Sequence, residues 1–420
     1  MANITGKQMF SPGLFDLAQD INGGLPLQVI GQWVDSPRDQ ATALNLLAPH
    51  QVTGYSVSSD TAGLSRLTKQ LGLLEVLAVI NRPKEIVYGL GLSIGGQGLG
   101  IWAADNTQMF YPPEVSAASL LSALLTMQDQ INQSCRVKIG LGAHFGQYYA
   151  LSGGLYGAEA DAIEELTENE TEGGEIVITQ SVFDRLPPDH GFTLVEKDND
   201  TPLPGRIFRV SDGPRLNAGP VGLVRYPIPY SESFYADLVA YQNCLDDTAF
   251  GERLARQYMR NQVVVLIERA SIAADTHEVA LFNNLSLSAL LKDTGLRLTP
   301  AAGAREVKVN GPLGIYLFDE AASALDFARA FRQSLAEQDV ACRIGLDAGP
   351  VLVFDLAGGG SDIAGMPVNI ASKMAQDKGR MGGLYLSQAV MDAVRKAGGG
   401  ASFTELRYNV SGVDMAVYEG

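Results

Sequence analysis

Residues 342–394 read CRIGLDAGPVLVFDLAGGGSDIAGMPVNIASKMAQDKGRMGGLYLSQAVMDAV. A strand ending in Ile-Gly-Leu leads into a Gly-rich connection, a polar helix, a Gly-Gly turn, another strand, then Ser and a helix. The same order occurs at 136–186, RVKIGLGAHFGQYYALSGGLYGAEADAIEELTENETEGGEIVITQSVFDRL. A repeat of roughly 210 residues is too long for a solenoid unit and suits two duplicated domains. The copies differ where it matters. Asp362, Asn369 and Lys373 stand in the second copy where the first has Gly154, Asp161 and Glu165. Such unequal decay is expected of a pair that shares one site at its interface.

The chain of 420 residues is long enough for two or three domains with their own cores. Its longest apolar runs, such as Val263–Ile267, are the length of a core strand, and no membrane span is expected. MANITGKQMFSPGLF has no charged region followed by a long apolar stretch, so no signal peptide is expected. Cys135, Cys244 and Cys342 show no paired spacing and read as reduced thiols of a cytoplasmic protein. A formal charge of −16 argues against a nucleic-acid polymer or an anionic membrane as partner. It leaves room for a single nucleotide held by a few local cations.

Along the chain, residues 1–50 form an N-terminal extension that matches nothing in the second unit. The first unit covers 51–212, a Pro- and Gly-rich linker covers 213–235, and the second unit covers 236–420. In the first unit the expected order is a strand near Tyr55–Ser59, a helix near Leu64–Glu85, a hairpin around Gly89–Trp102 and a helix near Glu114–Ile131. A strand at Val137–Leu141, a helix after Gly157 and a strand at Glu175–Ile178 complete it. Interleaved strands and helices with a hairpin point to an α+β sandwich with a mostly antiparallel sheet.

Four stretches carry a resemblance. DIAGMPVNIASKM at Asp362–Met374, RIGLDAGPV at Arg343–Val351, GYSVSSDTAGLSRLTKQLG at Gly54–Gly72 and the paired EGGEIVITQSV and MGGLYLSQAV resemble the class III nucleotidyl cyclase homology domain. The resemblance implies two ferredoxin-like (βαββαβ) domains, packed head to tail as a pseudo-symmetric pair with the active site between them.

It also implies a chemistry. The ribose 3′-hydroxyl attacks the α-phosphate and pyrophosphate leaves, with two divalent ions, Mg²⁺ or Mn²⁺, held by carboxylates. Cationic charge must meet the phosphoryl oxygens, and an amide must fix the ribose for in-line attack. By resemblance, Asp60 falls at the first metal carboxylate, and Thr61, Ala62, Gly63, Leu64 and Ser65 at the phosphate turn of a helix start. Lys308 and Asp362 fall at the adenine-reading pair and Asn369 at the ribose amide. Lys373 replaces the transition-state Arg, keeping the charge but not the planar fork. Gly96 stands at the second metal position, where a carboxylate belongs. The opposite combination, with Glu268 and Pro312 at the metal positions and Leu92, Gly154, Asp161 and Glu165 facing them, implies a dead site.

Each residue also has a plainer role. Asp60 can be an N-cap, Lys308 a solvated edge cation, Asn369 a helix-surface amide, Lys373 a solvent-facing lysine and Asp362 a turn residue. Gly91-Leu92-Ser93-Ile94-Gly95 matches a nucleophile elbow, but that motif needs a strand before it and a helix after, and Gly96–Gly100 cannot start a helix. The four histidines show no metal spacing. The leading expectation is a catalytically impaired pseudocyclase that binds a nucleoside triphosphate such as ATP and acts as a signalling or assembly module. The alternatives are an active adenylate cyclase, its second carboxylate supplied elsewhere, with Asp105 the nearby candidate, or a nucleotide-independent scaffold. A homo-oligomer or a protein partner stays open in each.

Overall fold

The computed structural model describes residues 21–22, 25–100, 102, 107–151, 154–198, 202–228, 230–270, 274–357, 359–376, 378–399, 403–410 and 413–420. The stretch Met1–Phe15, read for a signal peptide, lies outside them.

One compact unit spans Leu47–Arg253, the other Leu254–Gly420 with the described residues up to Leu46. Helices α1 (Leu27–Val34) and α2 (Gln40–Leu47) come first. The unit Leu47–Arg253 then has β1 (Gln51–Thr61), α3 (Leu64–Leu71), α4 (Leu73–Ser93), β2 (Gln97–Gly98), β3 (Thr107–Tyr111) and α5 (Ala117–Ser134). Then come β4 (Ile139–Leu151), β5 (Gly154–Tyr156), α6 (Ala158–Glu170), β6 (Ile176–Thr179), α7 (Gln180–Phe183), β7 (Thr193–Lys197) and β8 (Ile207–Asp212). Helices α8 (Glu232–Gln242) and α9 (Thr248–Tyr258) lead to the second unit. That unit has β9 (Met259–Arg269), α10 (His277–Ala302), β10 (Arg305–Asn310), β11 (Leu313–Phe318), α11 (Ala321–Ala336) and β12 (Cys342–Asp355). It ends with β13 (Ser361–Ala364), α12 (Met366–Gln376), β14 (Leu384–Ser387), α13 (Gln388–Lys396), β15 (Thr404–Val410) and β16 (Val413–Glu419).

The duplication is complete at the level of topology. One sheet runs β2-β3-β1-β4-β6-β8-β7 with β5 on β4; the other runs β10-β11-β9-β12-β14-β16-β15 with β13 on β12. Among the described residues, only β4 with β6 and β12 with β14 pair in parallel. The first four strands of each unit, with the helices between them, form a ferredoxin-like βαββαβ core, so the fold is α+β in two similar halves.

The apolar run Val263–Ile267 explains why helices cover both faces. All five side chains are buried, Val263, Val265 and Ile267 against α10 and α11, Val264 and Leu266 against α12. Alternate residues of a strand face opposite ways, so an unbroken apolar run needs cover on both sides.

Three expectations are corrected. The hairpin around Gly89–Trp102 is not one, because α4 runs on to Ser93 and the pairing that follows is β2 with β3. Gly89 and Gly91, which suggest a turn, sit inside α4 at close-packed points. A Cβ on Gly89 would meet Val221 at 2.5 Å and one on Gly91 would meet Met109 at 2.4 Å. Second, the helix near Leu64–Glu85 is two helices, broken at Gly72. Third, the Ile-Gly-Leu triplets at 139–141 and 344–346 do not share a register. Leu141 pairs Ile176 and Ile344 pairs Leu384, and those partners each lie four residues before the Gln that opens the next helix. Leu141 therefore corresponds to Ile344, a slip of two.

The stretch 213–228 lies along α4 and α5. The Leu216 N–H donates to Thr126 Oγ1 at 2.9 Å, the Val221 N–H to Gln130 Oε1 at 3.0 Å, and the Tyr226 hydroxyl to Asn81 Oδ1. The N-terminal helices have a packing role too. Trp33 is fully buried and stacks on Phe282 of α10, ring centroids 4.8 Å apart. Trp33→Ala is expected to lower the stability of the unit containing Phe282 by about 3–5 kcal/mol. Urea titration checks it, and a loss below about 1 kcal/mol would mean that the helices are dispensable to that unit.

Candidate functional site

Lys308 and Asp362 are brought together. Lys308 Nζ donates to Asp362 Oδ2 at 3.0 Å, and Asp362 Oδ1 accepts the Ile363 N–H at 2.8 Å. A bulge aids this. Glu306 pairs Tyr316 while Lys308 pairs Ile315, so Val307 is the extra residue and the strand is locally re-aimed. Lys308 is therefore not only a solvated edge cation, though its side chain stays 48% exposed. Asp362 lies inside β13 opposite Phe354 and is not a turn residue.

Asn369 and Lys373 lie four residues apart on α12 and so share a face. The opposite face, Pro367, Ala371, Met374 and Ala375, is buried. Asn369 is exposed and Lys373 half-buried.

Asp60 belongs to the other compact unit. It sits within β1 opposite Gly140, and α3 begins only at Leu64, so the N-cap alternative does not hold. Thr61 ends the strand, Ala62 and Gly63 form the turn, and the Leu67 N–H donates to the Gly63 carbonyl at 3.0 Å. The Ala62 N–H is already given to the Lys138 carbonyl at 3.2 Å, which removes it from a phosphate cradle. Gly63 and the start of α3 at Leu64 stay as the turn's candidates; the Ser65 side chain lies outside the described residues.

The equivalent corner of the second unit is built differently. Glu268 stands opposite Arg343, and the two form an ion pair with Glu268 15% and Arg343 20% exposed. Arg343 also donates to the Gly379 carbonyl at 2.9 Å. Next to it, Arg269 is buried, donates to the Ala270 and Asn284 carbonyls, and is pulled down to about 10 by burial. Glu268 thus has a resident cation.

Register also bears on the second position that the resemblance assigns to metal. Gly314 pairs Ile267 and Thr107 pairs Ser59, the residues preceding Glu268 and Asp60. Counting two back from each, Pro312 corresponds to Asp105 and not to Gly96. Gly96 instead closes the end of α4, its N–H donating to the Gly91 carbonyl at 2.9 Å. A side chain there would strike the Tyr111 ring at 2.4 Å. Leu92 lies in α4 and is likewise not the counterpart of Lys308. Asp105 lies outside the described residues, and among the described residues no group of three or more His, Cys, Asp or Glu could hold a metal. The nucleophile-elbow match at Gly91–Gly95 fails on its own terms, since a helix precedes it.

Two buried titratable groups escape a reading by motif. The two-residue slip makes His144 the counterpart of Asp347, and Thr179 the counterpart of Ser387. His144 Nδ1 lies 2.9 Å from Thr179 Oγ1 and 3.1 Å from Ser181 Oγ, and its Nε2 lies 3.8 Å from Glu159. The Asp347 carboxylate accepts from the Ser387 hydroxyl and the Ala348 N–H, and burial pushes its carboxyl up to about 6. The available signal was a charged residue inside an apolar strand, Ile344-Gly345-Leu346-Asp347.

No protein-family model matches the chain, and no curated protein matches it. The chain is similar to solved class III cyclases. A class III adenylyl cyclase-like ATP-binding protein from Pseudomonas aeruginosa is 13% identical over 84% of this chain and 87% of that one, TM-score 0.48. An adenylate/guanylate cyclase/hydrolase from Silicibacter pomeroyi is 21% identical over 38% of this chain and 96% of that one, TM-score 0.33. The guanylate cyclase domain of a Catenaria anguillulae protein, solved with GTP, is 18% identical over 38% and 96%, TM-score 0.30. Among the described residues, no helix is long and apolar enough to cross a membrane.

The two ion pairs should separate in a stability experiment. Arg343→Ala strands the Glu268 carboxylate and is expected to cost roughly 2–3 kcal/mol, most of it recovered by adding Glu268→Ala. Lys308→Ala breaks an exposed pair and should cost less than about 1 kcal/mol. Equal losses in guanidinium titrations would contradict the difference in burial.

Proposed function

We propose that this protein binds a nucleoside triphosphate, with ATP as the ligand of choice. In the second unit, Lys308 and Asp362 are offered to the base, Asn369 to the ribose and Lys373 to phosphate; in the first unit, Asp60 is the acid offered to a metal. The observation that carries this reading is the 3.0 Å contact between Lys308 and Asp362. A lysine donor beside a carboxylate acceptor matches the adenine edge, whose amino group donates and whose ring nitrogens accept. Asn369 would hold the ribose, and Lys373 on the same helix face would meet phosphate charge.

Asp60, within β1, is the carboxylate that the family resemblance puts at a Mg²⁺ or Mn²⁺ position. Such an ion, bound there, would neutralise the triphosphate. Glu268 does not fit an ion in the same way, since Arg343 holds it.

A second reading is favoured by the register count. Impairment inferred from Gly96 loses its ground once the position falls to Asp105, so an adenylate cyclase forming cyclic AMP is the working alternative to a nucleotide-binding pseudocyclase. Lys373 in place of Arg still argues for slow turnover, because a lysine cannot grip two phosphoryl oxygens in one plane.

The test is calorimetric ATP binding with and without Mn²⁺, followed by a cyclic AMP assay. Lys308→Ala and Asp362→Ala should each weaken ATP binding by about tenfold or more while the fold is kept. Asp60→Ala should remove only the metal-dependent part. Unchanged affinity in all three variants would sink the nucleotide reading. Cyclic AMP formation abolished by Asp60→Ala and by Asp105→Ala would select the enzyme over the pseudoenzyme.

A further inference from the structure

Residues 345, 347 and 349 of β12 point to one face of the sheet, and α12 lies on that face. A Cβ on Gly345 would meet the Ala371 carbonyl oxygen at 2.1 Å, and one on Gly349 would meet the Pro367 ring at 3.2 Å. Asp347 lies between these two contacts, so its carboxyl sits beneath the first turns of α12. It is 5% exposed.

The first unit is built differently at this place. There the counterpart is His144, and α6 brings Glu159 to it. A Cβ on Gly146, the counterpart of Gly349, would fall 2.2 Å from Glu159 Oε2 and 2.8 Å from His144 Nε2. Glu159 is two residues past Gly157, and its counterpart two past Gly365 is Pro367. The second unit has therefore replaced a base facing an acid by an acid facing a proline.

The groups around Asp347 are uncharged: Val264 across from it on β9, Pro367 and Ala371 from α12, Ser387 from β14. The described charges on these elements and on β12 and β13 are occupied or distant along the strands. Glu268 is bound to Arg343 and Asp362 to Lys308; Arg269 donates to carbonyls, and Arg260 and Asp355 lie toward the other end of the sheet. Lys373 is on α12 two turns beyond Pro367, and Asp347 is shaped by burial and two hydrogen bonds with no counter-charge.

We propose that Asp347 is a positioning residue that seats α12, and with it Asn369 and Lys373, only while it is protonated, making nucleotide affinity fall as pH rises. The inference rests on the nucleotide reading of that helix. The sign follows from burial. The carboxyl is raised from 3.8 to about 6, so the favourable neutral state is complete at low pH and is lost as pH rises through 6. Above that, the carboxylate recovers water only if α12 lifts.

Two measurements on the full chain test it. Hydrogen exchange of 366–376, corrected for intrinsic rate, should show α12 opening roughly tenfold more readily at pH 8 than at pH 5. Asp347→Asn should abolish that difference, and Ser387→Ala, which removes a donor to the carboxylate, should move the transition to higher pH. The ratio of ATP affinities of wild type and Asp347→Asn, in which the titration of ATP itself cancels, should fall between pH 5 and 8, by at most that factor. Wild-type α12 protection independent of pH, or equally pH-dependent in Asp347→Asn, overturns the seat. A pH-dependent seat with no ATP binding at any pH overturns instead the nucleotide reading and the affinity half of the proposal.

Discussion

The backbone contact between α12 and β12 is what the candidate site in the second unit depends on. A helix normally stands off a sheet by the length of its side chains. Here Gly345 lets the Ala371 carbonyl approach to a distance that no side chain could share. That contact sets the height of α12 above the sheet. It thereby sets where Asn369 and Lys373 stand relative to Asp362, which β13 carries at the same edge of β12. Interiors packed at this density transmit small displacements rather than absorb them. An ionisable group placed under such a helix is consequential for the same reason.

The duplicated architecture has been spent in opposite ways at corresponding positions. At the metal corner, the first unit keeps an acid opposite a glycine and the second fills the acid with an arginine. At the helix–sheet contact, the first unit answers a histidine with a glutamate and the second leaves an aspartate to a serine and a backbone amide. Once a half-site no longer has to hold an ion, an internal ion pair there relieves a desolvated carboxylate.

Much of this was legible in the chain. The repeat, the central strands, the helix after each glycine turn and the pairing of Lys308 with Asp362 follow from apolar period, turn chemistry and family order. What misled were glycines and registers. Gly89 and Gly91 carry the composition of a turn, yet they lie in a helix because Val221 and Met109 press on them. Intrinsic propensity is a weak prior that such packing overrides. The Ile-Gly-Leu triplets invite an alignment that is wrong by two residues. Because strand side chains alternate with a period of two, that slip leaves every apolar residue on its proper face, and no hydrophobic pattern can expose it.

The amino-acid sequence by itself determined that the chain is a duplicated α+β protein, which of its strands are covered on both faces, and which cations, amides and acids are available in each copy. Those properties are local, written in residue type and spacing. The tertiary structure alone decided which residues share a place. It gave Glu268 to Arg343 and Asp362 to Lys308, and set Asp347 against His144. These depend on hydrogen-bond register between strands far apart in the chain, and register is fixed by how whole sheets and helices pack, not by any one segment.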